Sequence, residues 1–319
     1  MRKVVLVCGI AGEDPTDLLL DALRIRGADF LFLNQRELAG SVALRWQLSD
    51  RGLEGSIRVE DEIVSLEQIS SAYVRLVPVT LMPEFSDQPR RAREIRSIMH
   101  SLIDLFDLLP GRIVNRRRPM MSNNSKPYQA LLIRECGFSI PSTFITNAPR
   151  ALEECALSRK AMIYKSMSSV RSIVRTASCD DGERIEKLRL LPTQFQEKIE
   201  GYCIRVHVIG KIAIATRIHS DATDYRYSQL EDTDSVLAPL ELNTELTEKC
   251  VSLAKRLELN FSGIDLMVSE DRVVCLEVNP CPGYSYYQKA TGQPISGVLA
   301  DFLMFEESSA AVGSSDSGS

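Results

Sequence analysis

The sequence predicts an α+β protein whose front end is a small α/β unit, and three stretches predict it. Residues 3–8 (KVVLVC) are a compact apolar run, residues 17–26 repeat Leu18, Leu20, Ala22 and Leu23 at helical spacing, and residues 29–33 are apolar again, so the chain opens β-α-β. Residues 89–109 carry Ala92, Ile95, Met99, Leu102, Phe106 and Leu109 at steps of three or four, the mark of a helix with one buried face. Towards the other end, residues 263–268 and 272–279 are two strand-like runs joined by Ser269, Glu270 and Asp271 and stopped by Pro280, Pro282 and Gly283.

At 319 residues the chain is long enough for two or three domains. A hydrophobic content of 44% with 25% charged residues is ordinary for a soluble protein, and the net charge of −5 speaks against a broad nucleic-acid surface. The 8 cysteines are scattered and form no CxxC pair, which points to a reduced, cytoplasmic chain. The first apolar run reaches acidic residues too soon for a signal peptide, and no run approaches the roughly 18 apolar residues of a membrane span.

Within the front unit, GIAGED lacks the GxxxxGK[ST] pattern and the third glycine of a dinucleotide fingerprint, so it reads as a plain strand-to-helix turn. Residues 46–48 and 56–59 form a meander, and residues 69–77 (ISSAYVRLV) a strand containing Arg75. Arg90, Arg91, Arg93 and Arg96 crowd the unfavourable end of the long helix, which suits an anionic partner or nearby carboxylates as well as a solvated face. Pro110 and Gly111 stop that helix, and the polar stretch 113–126, with Arg116, Arg117 and Arg118 in a row, reads as a linker. The first domain is therefore 1–115.

Further on, residues 127–136 are helical, GFSIPSTFIT is turn and strand, and Asn147 caps a helix over 149–155. Residues 161–165 form a strand ending in Lys165, followed by the loop SMSSVRS and a return strand. Residues 195–199 are a strand, and 203–209 and 212–218 form a hairpin across Gly210 and Lys211 with Arg205 and His207 on one face. An acidic loop (228–239), a helix (243–257), the hairpin and a closing helix (295–304) complete the chain. The remaining domains are 116–192, 193–308 and a low-complexity, disordered tail at 309–319. Three histidines without an HExxH arrangement speak against zinc chemistry, and no GxSxG elbow supports a serine hydrolase.

The hairpin carries the chemistry. A three-residue turn sets Val268 opposite Arg272 and Asp265 opposite Cys275, with Glu277 and Asn279 following on the same face at steps of two. A turn of two or four residues breaks that register. Leu266, Val268, Val274, Leu276 and Val278 then point into a core. Converging carboxylates need a proton or a cation, and hard oxygen donors suit magnesium or manganese and not zinc. An ordinary hairpin with a wet edge is the alternative.

The segment GIDLMV…CLEVNPCPG resembles the metal-binding end of the ATP-grasp superfamily, close to the glutathione synthetase and RimK-like carboxylate–amine ligases, which include the graspetide (microviridin-type) peptide maturases. The resemblance covers about residues 126–304. It implies an ATP-grasp fold, two α+β subdomains gripping ATP, behind a small α/β domain. It implies that Asp265, Glu277 and Asn279 hold two magnesium (or manganese) ions, that Lys126 and Lys165 hold the α- and β-phosphates, and that Ser169 lies in the loop closing over the nucleotide, where serines stand for the usual glycines. Gln196, Glu197 and Ile199 fall on the hinge that reads adenine, and Glu200 near the ribose. Arg205, Arg217 and Arg226 fall on the side of the transferring phosphoryl group, and Arg75, Tyr284, Tyr286 and Tyr287 on the substrate side. The activity implied is ATP-dependent amide formation through an acyl-phosphate. The partners implied are a carboxylate substrate and an amine or hydroxyl nucleophile, on a peptide or an amino-acid substrate in natural-product or peptide tailoring, without nucleic acid or membrane; a homodimer is one assembly the chain allows. A kinase on the same scaffold and a non-catalytic nucleotide-binding module are the alternatives.

Overall fold

In the computed structural model, which describes residues 2–148, 162–165, 175–176, 192–220, 235–270 and 272–305, the first strand, β1 (Val4–Gly9), is buried along its whole length. That suits a central strand of a parallel sheet, covered on both faces. The helix α1 (Asp14–Ile25), β2 (Phe30–Asn34), an antiparallel meander of β3 (Val42–Ser49), β4 (Gly52–Val59) and β5 (Glu62–Ser65), then β6 (Ile69–Val74), α2 (Pro89–Leu108) and β7 (Arg112–Val114) follow. The parallel sheet runs in the order β2-β1-β6-β7. One face, with Leu6, Cys8, Ala72 and Ile113, packs on Ile95, Leu102 and Phe106 of α2. The other, with Val5, Val7 and Tyr73, packs on Leu19 and Leu23 of α1 and on Leu299 and Leu303 of the chain's closing helix.

Two of the four arginines at the start of α2 have partners within the chain. Arg90 pairs with Glu94 at 3.0 Å, and Arg91 lies over the Phe85 ring and donates to the Arg36 carbonyl. The stretch expected as a linker is tied down near its start. Arg116 donates to the carbonyls of Phe106, Leu109 and Gly111 and so closes the C-terminus of α2, while Arg117 pairs with Asp104 and Asp107.

After α3 (Lys126–Glu135), whose N-cap Ser125 accepts from the Tyr128 amide, a second sheet holds β8 (Thr143–Thr146), β9 (Met162–Lys165), β10 (Arg175–Thr176) and β11 (Thr193–Glu197) in the order β10-β9-β11-β8. The helix expected over 149–155 lies outside the described residues. A third, antiparallel sheet contains β12 (Tyr202–Ile209), β13 (Ile212–Ser220), β14 (Ser235–Leu240), β15 (Phe261–Val268) and β16 (Val273–Asn279), in the order β14-β13-β12-β15-β16. Residues 235–240, read from sequence as part of an acidic loop, are thus an edge strand paired with β13. The helix α4 (Thr244–Arg256), capped by Asn243, seals one face of this sheet with Cys250, Leu253 and Ala254 against Ile204, Val206, Ile264 and Leu266. Finally α5 (Ser285–Thr291) and α6 (Ile295–Met304) cover the far end of the other face. Because α6 packs on both β6 and β12, it joins the first and last sheets. No helix among the described residues is long and apolar enough to cross a membrane.

Candidate active site

The pairing of β15 with β16 runs Val268–Val273, Met267–Val274 and Leu266–Cys275, then jumps to Asp265–Glu277, Ile264–Val278 and Gly263–Asn279. The turn therefore has four residues, 269–272, closed by the Ser269 amide and hydroxyl on the Arg272 carbonyl. The three-residue expectation is corrected. A four-residue turn alone would have set Leu276 opposite Asp265 and turned Glu277 into the core. A one-residue bulge at Leu276 restores the phase, so Asp265, Glu277 and Asn279 do share a face. Cys275 does not face Asp265: it sits opposite Leu266 in the core, where burial pushes its thiol well up. Leu276, released from the ladder, borders a cavity instead of entering the core.

Each carboxylate of this row is matched by a cation of the chain. Arg205 of β12 is directly opposite Asp265 and binds it at 3.1 Å, and Lys126, the first residue of α3, binds Glu277 at 3.0 Å and Asn123 at 2.7 Å. Two carboxylates can then stay ionised side by side. Arg205 is 5% exposed, and its reach depends on Gly263, where a Cβ would stand 2.8 Å from Nη1. Its Nε donates to the Tyr287 hydroxyl at 3.3 Å, and its guanidinium lies 5.5 Å from the centre of that ring. Two steps along β12, His207 is wholly buried with its ring 4.9 Å from that of Tyr287. Burial first, and then Arg205, push its pKa from 6.5 down to about 3, against a weaker pull from the Gly283 main chain. That approach falls short of a hydrogen bond, for neither ring nitrogen has a partner among the described residues. His219 is exposed.

Two buried amides that sequence reasoning missed hold the hairpin in place. Gln129 of α3 donates to the Val278 carbonyl at 2.8 Å and accepts from the Val278 amide at 3.0 Å, acting as a one-residue strand beside β16. Asn115, just beyond β7, donates to the carbonyls of Phe261 and Pro280, both at 2.6 Å, and accepts from the amides of Asn260 and Phe261. A signal for Gln129 was present, since it lies three and four residues before the buried Leu132 and Ile133 and so on the inward stripe of its helix. Asn115 carried none. The Asn279 side chain accepts from the Cys281 amide at 2.9 Å and shapes the turn that leaves β16.

Beside the row lies a cavity of about 400 Å³ bordered by Lys126, Glu277 and Leu276 and by Ile140, Phe144 and Gln196 of the second sheet's side. Gln196 is 6% exposed, and its Oε1 meets no donor among the described residues; such an unmet buried acceptor costs about 1–3 kcal/mol. Glu197 ends β11 and is held by Arg272 at 3.0 Å and by the Ser142 amide. Ile199 and Glu200 continue into the crossing to β12, where Gly201, at φ +151°, presses so closely on the Val268 carbonyl that no Cβ fits. Lys165 ends β9 opposite Gln194; Ser169 and Arg226 lie outside the described residues.

Other expected site residues are placed elsewhere. Arg217 pairs with Ile204, not with Arg205, so it lies on the opposite face of the sheet, exposed, with its guanidinium 4.2 Å from the centre of the Tyr202 ring. The two-residue turn at Gly210 and Lys211 forces that parity. Tyr284 is fully buried and donates to the Pro15 carbonyl, so it fastens the hairpin loop to α1 rather than lining a substrate pocket. Tyr286 is 51% exposed. Arg75 follows β6 directly; it binds Glu13 at 2.7 Å and approaches Cys281 Sγ and the Pro282 carbonyl at 3.4 Å, linking the end of the parallel sheet to the loop after Asn279. The GIAGED turn is closed internally, with the Ala11 amide on Asn34 and the Gly12 amide on Asp17.

The donor set fits a magnesium–nucleotide pair. It offers two carboxylates and an amide oxygen, all hard ligands, beside a cavity of nucleotide scale. Among the described residues no cluster of three or more His, Cys, Asp or Glu offers a competing metal site.

The second and third sheets and the placement of the paired hairpin have the architecture of an ATP-grasp fold. Over 94% of its length the chain superposes, with a TM-score of 0.77 and 21% identity, on 99% of the macrocyclase MdnC bound with precursor peptide MdnA from Microcystis aeruginosa MRC. A similar superposition, over 94% of this chain and 97% of the other with TM-score 0.78 and 23% identity, is found with the ATP-grasp ligase PsnB complexed with a phosphomimetic variant of its minimal precursor, Mg and ADP. Residues 154–303 match the RimK-like ATP-grasp domain. Among curated relatives, a probable alpha-L-glutamate ligase of Haemophilus ducreyi is 27% identical over 157 residues, 49% of this chain and 50% of that protein. One of Vibrio parahaemolyticus is 23% identical over 226 residues, 67% of this chain and 74% of that protein.

Proposed function

We propose that the protein is an ATP-dependent ligase that activates a carboxylate and passes it to an amine or hydroxyl, with a peptide as its substrate. The observation that carries this reading is the row Asp265–Glu277–Asn279, with Arg205 and Lys126 already paired to its carboxylates at the mouth of a nucleotide-sized cavity. The peptide part of the reading is supported by the likeness to MdnC and PsnB, both described with precursor peptides.

Asp265, Glu277 and Asn279 would hold magnesium, manganese being the alternative, which when bound neutralises phosphate charge. The substrate carboxylate attacks the γ-phosphoryl group of ATP, ADP leaves, and the nucleophile then displaces phosphate from the acyl-phosphate. No covalent attachment to the protein is required, so its residues bind and orient. Lys126 moves from Glu277 to the phosphates, with Lys165 as the second phosphate cation. Arg205, dry and locked between Asp265 and Tyr287, presents a fixed positive charge to the transferring group. Arg75, Tyr286 and the Tyr287 hydroxyl border the substrate side.

The test is incubation with ATP, magnesium and a candidate acidic precursor peptide. The expected outcome is ADP release with a peptide lighter by one water per linkage, and a hydroxamate when hydroxylamine is added. A stable phosphopeptide instead of these products would identify a kinase. Failure to bind nucleotide at all would leave only the fold.

A further inference from the structure

We infer that Asn123 is a positioning residue: it holds the Lys126 ammonium on Glu277, so that the chain's own cation keeps a bare metal ion off that carboxylate until a nucleotide draws the lysine away. The assignment rests on the nucleotide-dependent reading above and adds to it the order in which the site fills.

Asn123 lies in the short helical turn Met121–Asn124 that leads into α3. It does not border the cavity, so it reaches the site only through Lys126. Lys126 Nζ donates to Asn123 Oδ1 at 2.7 Å and to Glu277 Oε2 at 3.0 Å. Two of the three ammonium protons are thereby directed. Without these acceptors the position is a poor one for a cation. Lys126 is the first residue of α3, and the amides at a helix start repel positive charge. The lysine is therefore parked there by a neutral carbonyl three residues back as well as by the carboxylate.

The charges along the row give this parking its consequence. Asp265 and Glu277 are matched by Arg205 and Lys126, so these four side chains together carry no net charge and attract a lone divalent ion little. A nucleotide in the cavity that Lys126 and Glu277 border offers the lysine a more negative partner. Once the lysine turns to it, the carboxylates meet the ion with one cation fewer, and the phosphates add their own charge. Metal and nucleotide then enter together, and the ion alone is held poorly.

The experiment follows binding of manganese, a hard-oxygen stand-in for magnesium, to the full chain by loss of the free ion's paramagnetic resonance signal. It is run with manganese alone and with ADP present, allowing for the ion that free ADP binds. The wild type should hold manganese about tenfold or more tightly with ADP than without. Lys126→Met should raise the affinity for manganese alone about tenfold, and Asn123→Leu, which keeps the lysine but removes its tether, about threefold. Damage to the fold would weaken binding, so a gain is a signature that a merely structural role would not give. An affinity for manganese alone that is not raised in an Asn123→Leu protein melting like the wild type overturns the assignment and leaves the nucleotide site standing. Should the leucine variant not fold, an affinity not raised in Lys126→Met overturns it in the same way. Absence of manganese uptake by the wild type with ADP present overturns the nucleotide reading, and the assignment with it.

Discussion

The two faces of the five-stranded sheet are built from the same strands, one residue out of step. On one face Ile204, Val206, Ile264, Leu266, Cys275 and Val278 close against α4. On the other stand Arg205, Asp265, Glu277 and Asn279, with His207 beneath Tyr287. The apolar face gives the sheet a rigid back, and the polar face holds its charges at fixed separations because that back does not yield. Stability and chemistry are thus separable along a single strand, and substitutions one residue apart should separate them.

The largest effect is expected on the polar face. Glu277→Gln should lower ADP release about 10²–10³-fold while leaving the thermal midpoint near that of the wild type, as read by a coupled ADP assay and a melt of the same sample. One phase away, Leu266→Ala should do the reverse. It empties a wholly buried position and should cost about 2–5 kcal/mol in denaturant unfolding, with turnover per folded molecule little changed. A Leu266→Ala protein of full stability but impaired turnover would break the division between the faces.

The two strand arginines sharpen the comparison. Arg205→Met should cost about a hundredfold in ADP release, whereas Arg217→Met, on the exposed opposite side, should stay within about threefold of the wild type. Equal losses would place both on the chemistry. The smallest effect belongs to His207. Its folded-state pKa of about 3 lies below the ordinary 6.5, so between those values the unfolded chain holds the extra proton. The stability it confers is complete above about pH 6.5 and is lost as pH falls towards 3. His207→Phe, which cannot titrate, should flatten stability against pH across that window in urea unfolding.

Much of this was legible in the sequence, for reasons that differ by residue. Strand alternation alone put Glu277 and Asn279 on one face, and the spacing of Ala92, Ile95, Met99 and Leu102 gave the buried stripe of α2. The turn between β15 and β16 was misjudged because two departures cancel: one residue more in the turn and one more in β16 leave the face of Asp265, Glu277 and Asn279 unchanged. Arg217 was misplaced although the two-residue turn before β13 fixes its side. There the resemblance to ATP-grasp chains outweighed a parity that could be counted. Tyr284 could not have been assigned locally, since its hydroxyl partner, Pro15, is 269 residues away. Asn115 likewise joins main-chain groups near residues 261 and 280, a meeting that exists only once the sheets have assembled.

The bulge at Leu276 has an effect beyond register. An inserted residue has no partner opposite it, so its side chain is released from the alternation of the ladder. Here a leucine stands at the rim of the hollow shared by two sheets, between the Cys275 thiol and the Glu277 carboxylate. An interruption in a regular ladder thereby becomes the greasy lip of that hollow, and trimming it to glycine would widen the opening.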